Sequence, residues 1–183
     1  MITIEDLNSL EQESIKRGIP IIGREKATWL LEILNKYHPQ NILELGTANG
    51  YSGVILASRS ANLTTIEKNP DLAKEAEQNF KKCNLNVTSL VGDGVEYTKQ
   101  QAQIAPITLD LIFIDFAKHK YIKVLASCLT LLKPGALLIA DNISHPHCQN
   151  FKEAILNHPL LQTTIIPIKD GLSLSIKIKE IKE

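Results

Sequence analysis

The stretch from Asn41 to Gly53, NILELGTANGYSG, decides how this chain folds. Apolar side chains lead up to Gly46, and a second glycine, Gly50, comes just before the apolar residues of a helix. This pattern predicts a buried strand, a tight glycine turn and a helix start, which together open a nucleotide or nucleoside site in doubly wound α/β proteins. We therefore expect a ligand at this turn; the alternative is a plain strand-to-helix turn that binds nothing.

The glycine spacing favours one kind of ligand over another. A dinucleotide-binding turn carries GxGxxG so that its backbone can press against a pyrophosphate, whereas here three residues separate Gly46 from Gly50. Glu44 lies near the end of the strand, and two hydroxyl side chains, Thr47 and Ser52, surround the turn. These residues suit a ligand with an ammonium and a carboxylate group, which favours S-adenosylmethionine over NAD.

Length and composition limit the class of protein. With 183 residues, of which 44% are hydrophobic, residues 1–183 are expected to form one domain, with N-terminal helices in 1–37 that cover the site. Lysine plus arginine equals aspartate plus glutamate at 20 each, which argues against a nucleic-acid partner or an anionic membrane. The three cysteines lack CxxC spacing and suit reduced thiols. No leader or membrane-spanning stretch is evident, so we expect a cytoplasmic protein without a membrane partner.

Strand-like and helix-like segments alternate through the rest of the chain. The expected strands after the opening one are Leu63–Ile66, Val87–Val91, Leu109–Ile114, Leu137–Ala140, Thr163–Ile168 and Leu172–Ile178. This alternation predicts an α/β fold with a mostly parallel, seven-stranded sheet and helices on both faces. The last two strands are joined by Lys-Asp-Gly, a hairpin signal that predicts an antiparallel C-terminal edge.

Two acidic residues close the second and third strands. Ligands of such sheets bind at the carboxyl ends of the strands. Glu67 lies there, 21 residues after Gly46, where a carboxylate can accept hydrogen bonds from both ribose hydroxyls; a surface carboxylate before a helix is the alternative. Asp93, in the sequence VGDG, either accepts a hydrogen bond from an adenine amine or caps the next helix.

The next two strand ends carry oxygen ligands. Asp115 ends one strand and Asp141 with Asn142 ends the following one, so the three side chains are expected to be neighbours. They suit Mg²⁺, with Ca²⁺ or Mn²⁺ next, provided that the chain turns directly after Ala140. Otherwise Asp141 and Asn142 are turn formers and Asp115 contacts only the cofactor. Lys118, three residues after Asp115, can reach over the same site or can be solvated.

These motifs together resemble one family, the metal-dependent O-methyltransferases of the catechol and caffeoyl-coenzyme A type. The resemblance runs from about Ile19 to the C-terminus. It rests on the joint occurrence of NILELGTANGYSG, TTIEKNPDLA, VGDG, DLIFIDFAKHKY, LLKPGALLIADN and KDGLSLS. It implies a Rossmann-like class I methyltransferase fold and the transfer of a methyl group to a hydroxyl oxygen.

The resemblance also assigns roles to residues. It implies Lys118 as the catalytic base and Asp115, Asp141 and Asn142 as metal ligands. The implied S-adenosylmethionine contacts are Glu44, Gly46, Thr47, Gly50, Tyr51, Ser52, Glu67, Asp93, Gly94 and Asp115.

The acceptor expected from this resemblance is a small hydroxylated aromatic molecule, such as a catechol, and a homodimer is compatible with it. The chain departs from the pattern in two places. Its N-terminal region is short and leaves few residues to cover a substrate. Residues 162–169 lack the carboxylate that the catechol branch places against a substrate hydroxyl. Other readings stay open: methylation of a hydroxylated RNA base, a noncatalytic S-adenosylmethionine-binding module with an empty metal site, and, last, an NAD-dependent oxidoreductase.

Overall fold

The computed structural model describes residues 2–104 and 108–178, which fall into two compact units divided in sequence between Asp93 and Gly94. The elements of the N-terminal unit are α1 (Asn8–Lys16), α2 (Gly23–Tyr37), β1 (Asn41–Leu45), α3 (Tyr51–Ala57), β2 (Asn62–Glu67), α4 (Pro70–Lys82) and β3 (Val87–Val91). Its strands are parallel, in the order β3-β2-β1. The four residues 42–45 of β1 are all buried, as expected for a strand that is covered on both faces.

The predicted glycine turn follows β1. Gly46 and Gly50 have φ angles of 102° and 93°, which a residue with a Cβ rarely adopts. A Cβ on Gly50 would also lie 3.1 Å from the Cβ of Ala76, so α4 packs directly against this turn. At Gly53, in α3, an added Cβ would lie 2.8 Å from the ring of Phe80. The glycines therefore allow a close approach of α4 as well as a tight turn.

The N-terminal helix of this unit is joined to the glycine turn by polar contacts. Thr3 and Asp6 form a capping box, because the backbone amide of Thr3 donates to Asp6 Oδ2 at 2.8 Å and the backbone amide of Asp6 donates to Thr3 Oγ1 at 3.4 Å. The Asn49 amide donates to Ser14 Oγ at 2.7 Å, and Arg17 makes two hydrogen bonds of 2.8 Å to Glu75 of α4. The helix α1 is thus held beside the turn. That 1–37 cover the site stays a prediction.

The C-terminal unit contains the other four strands. Its elements are α5 (Gly94–Ile104), β4 (Leu109–Ile114), α6 (Tyr121–Leu131), β5 (Leu132–Asp141), α7 (Gln149–Leu156), β6 (Leu161–Ile166) and β7 (Leu172–Lys177). The strand order is β4-β5-β7-β6, with β4 parallel to β5 and β7 antiparallel to both of its neighbours. The seven-stranded sheet, mostly parallel with an antiparallel C-terminal edge, confirms the predicted fold class.

The strand β5 begins five residues earlier than the predicted Leu137–Ala140 and ends one residue later. Its register with β4 shifts between the pairs Leu109–Leu132 and Leu111–Leu137, so a single residue of β4 faces four of β5. Pro134 lies in this irregular part. Its lack of an N–H is tolerated there, because the regular hydrogen-bond ladder is already interrupted. Pairing with β4, a tertiary feature, includes this segment in the strand.

In 2–104 and 108–178, no helix has the length and apolar character needed to cross a membrane.

The packing of α3 against α4 predicts that Gly53→Ala destabilises the protein. The new methyl group would lie 2.8 Å from Phe80 Cζ and 2.9 Å from Glu44 Oε2, and both side chains are buried. Overpacking of this kind costs about 1–3 kcal/mol, and the better helix propensity of alanine offsets about 1 kcal/mol of it. Urea unfolding of both proteins measures the difference.

The matched control is Gly92→Ala, where an added Cβ has Ile66 as its nearest neighbour at 3.9 Å. We expect this variant to unfold at nearly the wild-type urea concentration. Equal stability of Gly53→Ala and wild type would mean that α3 and α4 are less tightly packed than the structure indicates.

Candidate active site

Glu67, at the carboxyl end of β2, is fixed by two backbone amides. Its Oε2 accepts from the Ala48 N–H at 2.9 Å, and its Oε1 accepts from the Asn69 N–H at 2.9 Å. The carboxylate therefore joins the glycine turn after β1 to the start of α4. Each carboxylate oxygen can accept a further hydrogen bond, so the group keeps the acceptors that a ribose diol requires.

Glu44 lies deeper than Glu67 and is fully buried, with 0% of its surface exposed. Its Oε1 accepts from Ser52 Oγ and its Oε2 from Thr65 Oγ1, both at 2.6 Å, and Thr65 is also hydrogen-bonded to Thr47. Of the two hydroxyl groups expected around a ligand, that of Ser52 is thus engaged with Glu44 and that of Thr47 with Thr65. A contact between Glu44 and the ammonium of the cofactor stays a prediction.

Sequence reasoning did not single out Thr65, although it anchors the carboxyl group of Glu44. The register of β1 with β2 pairs Glu44 with Thr65 directly, and this pairing is a tertiary feature. The signal in the sequence was weak, because Thr65 is one of two adjacent threonines in β2.

Apart from Asp115, which follows β4, the other residues predicted at the cofactor lie at this turn or after β3. Tyr51 opens α3 and is buried, and burial raises the pKa of its phenol to about 12. Asp93 is half-buried and follows β3, and Gly94 is the first residue of α5. A role of Asp93 as acceptor for adenine stays a prediction.

In the C-terminal unit, Asp115 and Lys118 form an ion pair directly after β4. Lys118 Nζ donates to Asp115 Oδ1 at 3.0 Å, and the side chains of Lys118 and Asp115 are 29% and 17% exposed. Lys118 begins a short 3-10 turn that leads into α6. The three-residue offset therefore places the amine beside the carboxylate, as the sequence predicted, while leaving both groups partly open to a ligand.

Asp141 and Asn142 end β5 in the same unit. Asp141 is 2% exposed, and its Oδ1 accepts from the Asn142 N–H at 2.7 Å. Asn142 has a φ of 53°, so the chain leaves the strand at this residue. The turn falls one residue later than expected, because Asp141 still pairs with Leu172 of β7.

Asp170 is a site residue that the sequence did not reveal. The amide nitrogen of Asn142 donates to Asp170 Oδ2, and the backbone N–H of Ser144 donates to the Asp170 carbonyl at 2.9 Å. In the sequence, Asp170 belongs to the Lys-Asp-Gly turn and was interpreted only as a hairpin signal. The hydrogen bond orients the Asn142 amide with its nitrogen toward Asp170 and its oxygen on the other side of the group.

The residues at the ends of β4 and β5 act on one another electrostatically. Burial raises the pKa of the Cys148 thiol to about 11; the Lys118 ammonium opposes this rise, and Asp141, Asp115 and Asp170 add to it. The charges of all four groups therefore act on this thiol. The sequence gave no reason to place Cys148 there, because it is distant along the chain and lacks a motif.

A metal site at this place would depend on an amide. No group of three or more histidine, cysteine, aspartate or glutamate side chains is arranged to bind a metal ion in 2–104 and 108–178. The predicted set contains two carboxylates, Asp115 and Asp141, with Asn142 as the third ligand. Two anionic oxygens and one amide oxygen are hard donors of the type that Mg²⁺ prefers, so the chemistry of the set fits the cation.

Comparisons with known proteins agree with this architecture. A pig (Sus scrofa) catechol O-methyltransferase is 35% identical over 139 residues, which are 71% of this chain and 74% of the pig protein. A Staphylococcus aureus protein provisionally named a caffeoyl-CoA O-methyltransferase has a solved structure with a TM-score of 0.83, 28% identity, and coverage of 97% of this chain and 93% of its own. The Streptomyces achromogenes O-methyltransferase TomG, solved in complex with S-adenosylmethionine, has a TM-score of 0.85 at 22% identity, covering 94% of this chain and 89% of TomG.

The chain has the fold of a Rossmann-like S-adenosylmethionine-dependent methyltransferase. This assignment rests on the glycine turn after β1, the carboxylate of Glu67 at the end of β2, and the similarity to these neighbours. The model of the O-methyltransferase family matches residues 3–178, so this chain belongs to the O-methyltransferase family. The family resemblance inferred from the sequence is therefore confirmed. Catechol O-methyltransferases from Bos taurus and Danio rerio are matched over only 57% and 54% of their own length.

The geometry of Glu67 predicts that Glu67→Gln weakens binding of S-adenosylmethionine. A glutamine keeps one acceptor but turns an NH₂ group toward a backbone N–H, and it removes the charge that strengthens hydrogen bonds from a ribose. Hydrogen bonds to charged groups contribute about 1.5–3 kcal/mol each, so a loss of about 10- to 100-fold in affinity is expected. Isothermal titration calorimetry without added metal measures it.

The control is Glu77→Gln on the exposed face of α4, which removes the same charge from the same unit. Its affinity for the cofactor is expected to equal that of wild type. If Glu67→Gln binds as tightly as Glu77→Gln, then Glu67 organises the glycine turn and does not hold the ribose.

Proposed function

We propose that this chain transfers the methyl group of S-adenosylmethionine to a hydroxyl oxygen of a small aromatic acceptor with two adjacent oxygens, and that it uses a divalent cation. The observation that carries the proposal is the arrangement after β4 and β5. Asp115 and Lys118 are paired at 3.0 Å, and the buried Asp141 and the left-handed Asn142 close the neighbouring parallel strand. Membership of the O-methyltransferase family makes methyl transfer to oxygen the reaction for this site.

The cofactor residues belong to the N-terminal unit in this proposal. Glu67 accepts hydrogen bonds from the ribose, and the glycines of the turn allow the backbone to approach the ligand closely. Glu44 keeps Ser52 and Thr65 in place beneath the turn through its two hydrogen bonds of 2.6 Å. TomG, a fold neighbour, was solved with S-adenosylmethionine, which supports the choice of cofactor.

The cation ligands proposed in the C-terminal unit are Asp115, Asp141 and the amide oxygen of Asn142. A divalent cation at such ligands lowers the pKa of a coordinated hydroxyl and fixes its orientation. Asp141 is suited to this role because it is nearly buried and is oriented by the Asn142 N–H. Asp170 orients the Asn142 amide through the amide nitrogen.

Lys118 is the proposed catalytic residue. A phenol has a pKa near about 10 and is mostly protonated at neutral pH, so its oxygen must lose a proton before it attacks a methyl group. The Lys118 amine lies beside Asp115, where it can accept that proton once it has released its own. As an ammonium, the same group stabilises the negative charge that develops on the oxygen.

The acceptor class follows from the ligand set and the relatives. Two adjacent oxygens can chelate a cation that retains open positions, as a catechol would. The pig relative is a catechol O-methyltransferase, which supports this acceptor class. Because residues 162–169 contain no carboxylate, substrate contacts at that place differ from those of the catechol branch. A cytoplasmic location and a homodimer stay predictions.

Removal of the cation is expected to stop turnover without removing the cofactor. EDTA should abolish methylation of a catechol, and Mg²⁺ should restore it. Asp141→Asn should bind Mg²⁺ much more weakly than wild type, because an anionic ligand is replaced by a neutral one, while its affinity for S-adenosylmethionine stays within about threefold. Radiolabelled methyl transfer and calorimetry measure the two effects.

The control is Asp110→Asn, at the opposite end of β4. Asp110 is about 17 Å from Asp115 along the strand, and its carboxylate accepts from Lys133 Nζ at 2.8 Å. This variant should bind Mg²⁺ and turn over like wild type. Undiminished activity of wild type in EDTA would contradict the use of a cation.

Replacement of Lys118 tests the proton transfer. Lys118→Met keeps the length and the apolar stem of the side chain but removes the amine. Loss of a general base typically lowers kcat by a factor of about 100 to 10,000, and the loss should be smaller for an acidic acceptor such as nitrocatechol. Rates are compared at saturating cofactor and Mg²⁺.

The matched control is Lys133→Met, which breaks a second lysine–aspartate pair of this unit, between Lys133 and Asp110. It should methylate catechol at the wild-type rate. If Lys118→Met does so as well, then Lys118 is not the base and activation of the acceptor relies on other groups.

A further inference from the structure

Tyr121, the first residue of α6, is a buried phenol whose hydroxyl has no hydrogen-bond partner in the part of the chain that the structure describes. The side chain is 0% exposed, so water at the surface does not supply a partner either. A buried hydroxyl that lacks a partner is costly, and such a group in a folded protein calls for an explanation, for example a bound water or ion or a role at a functional site.

The ring of Tyr121 is held rigidly by two aromatic neighbours. It stacks on Phe116 at a centroid distance of 5.5 Å and meets the edge of Phe151 at 5.6 Å. Phe116 directly follows Asp115, and the 3-10 turn that begins with Lys118 ends at Tyr121. The phenol is therefore fixed on the same short segment that carries the Asp115–Lys118 pair.

The carboxylates of the proposed cation site act electrostatically on the phenol. Burial raises the pKa of Tyr121 well above its ordinary value, and Asp115, Cys148, Asp141 and Asp170 each raise it further. A phenol in these surroundings stays protonated and can act only as a hydrogen-bond donor toward an anion. Two of these neighbouring anions, Asp115 and Asp141, are the proposed cation ligands.

We propose that Tyr121 is a positioning residue, whose hydroxyl donates a hydrogen bond to a carboxylate oxygen of Asp115 or Asp141, directly or through one water, when the cation is bound. This inference rests on the proposed function, because it requires a cation at these carboxylates. The hydrogen bond would leave the second oxygen of the carboxylate directed at the cation. Outer hydrogen bonds of this kind orient the ligands of metal sites and change metal affinity.

The test is Tyr121→Phe in the full chain, with Mn²⁺ as the probe. Phenylalanine keeps both ring contacts and removes only the hydroxyl. We expect the dissociation constant for Mn²⁺, measured from the signal of free Mn²⁺ in electron paramagnetic resonance, to rise about 10- to 100-fold. The melting temperature without metal should be equal to or higher than that of wild type, because an unpaired buried hydroxyl is removed.

Turnover supplies a third measurement. Because the role is to position the ligands, a high concentration of Mn²⁺ should bring the rate of Tyr121→Phe close to that of wild type, while the rate at low Mn²⁺ stays reduced. Tyr97→Phe, on α5 of the same unit, is the control and should bind Mn²⁺ within about twofold of wild type.

Each other outcome overturns the inference in a different way. Equal Mn²⁺ affinity of Tyr121→Phe and wild type removes Tyr121 from the site but leaves the proposed function intact. A lower melting temperature of the metal-free variant, with a matching loss of affinity, means that the hydroxyl supports the fold alone. If wild type itself binds no Mn²⁺, then both the cation and the role of Tyr121 are wrong.

Discussion

The N-terminal unit depends on a buried carboxyl group. Glu44 is completely enclosed, and a carboxyl group in that position is stable only if hydrogen bonds replace the water that it has lost. Ser52 of α3 and Thr65 of β2 supply these bonds at 2.6 Å. A single side chain of β1 thereby fixes the helix that follows the glycine turn and the strand that ends in Glu67. The position of the proposed ribose acceptor is consequently set by a group that lies beneath it.

The C-terminal unit uses polar groups in a different way. Asp115 and Lys118 remain partly exposed, whereas Asp141 is buried and takes a hydrogen bond from its own neighbour in the chain. A rigid aromatic group of Phe116, Tyr121 and Phe151 lies against this segment. The arrangement suits a site in which carboxylates must be oriented before a ligand arrives, since oriented ligands need less reorganisation on binding.

Family membership and substrate choice have different support. The match over residues 3–178 establishes the O-methyltransferase family, and the polar residues after β1, β2, β4 and β5 have the types that the reaction needs. The acceptor class is a proposal that rests on the predicted ligand set and on the pig relative, and the resemblance read from the sequence implies a departure from the catechol branch in 162–169. Asp170 contacts Asn142 from the hairpin turn before β7. The eight residues that precede Asp170, 162–169, contain no carboxylate, whereas the catechol pattern has one there.

The sequence by itself determined the order of the elements, the glycine turn at Gly46 and Gly50, the antiparallel end of the sheet and the family. These features follow from local patterns: alternation of apolar residues, the conformations open to glycine, and motifs confined to short stretches. The offset of three residues between Asp115 and Lys118 allowed the amine to reach the end of β4, and the structure shows it bonded to Asp115.

Only the tertiary structure decided which distant residues meet. The pairing of β1 with β2 brings Thr65 to Glu44, the pairing of β5 with β7 extends β5 through Asp141, and the packing of α6 encloses Tyr121. None of these contacts has a local signal, because each depends on the register of strands or on the face of a helix that becomes buried. Strand register and helix packing are set by the sum of many apolar contacts over the chain, and a short motif does not contain that information.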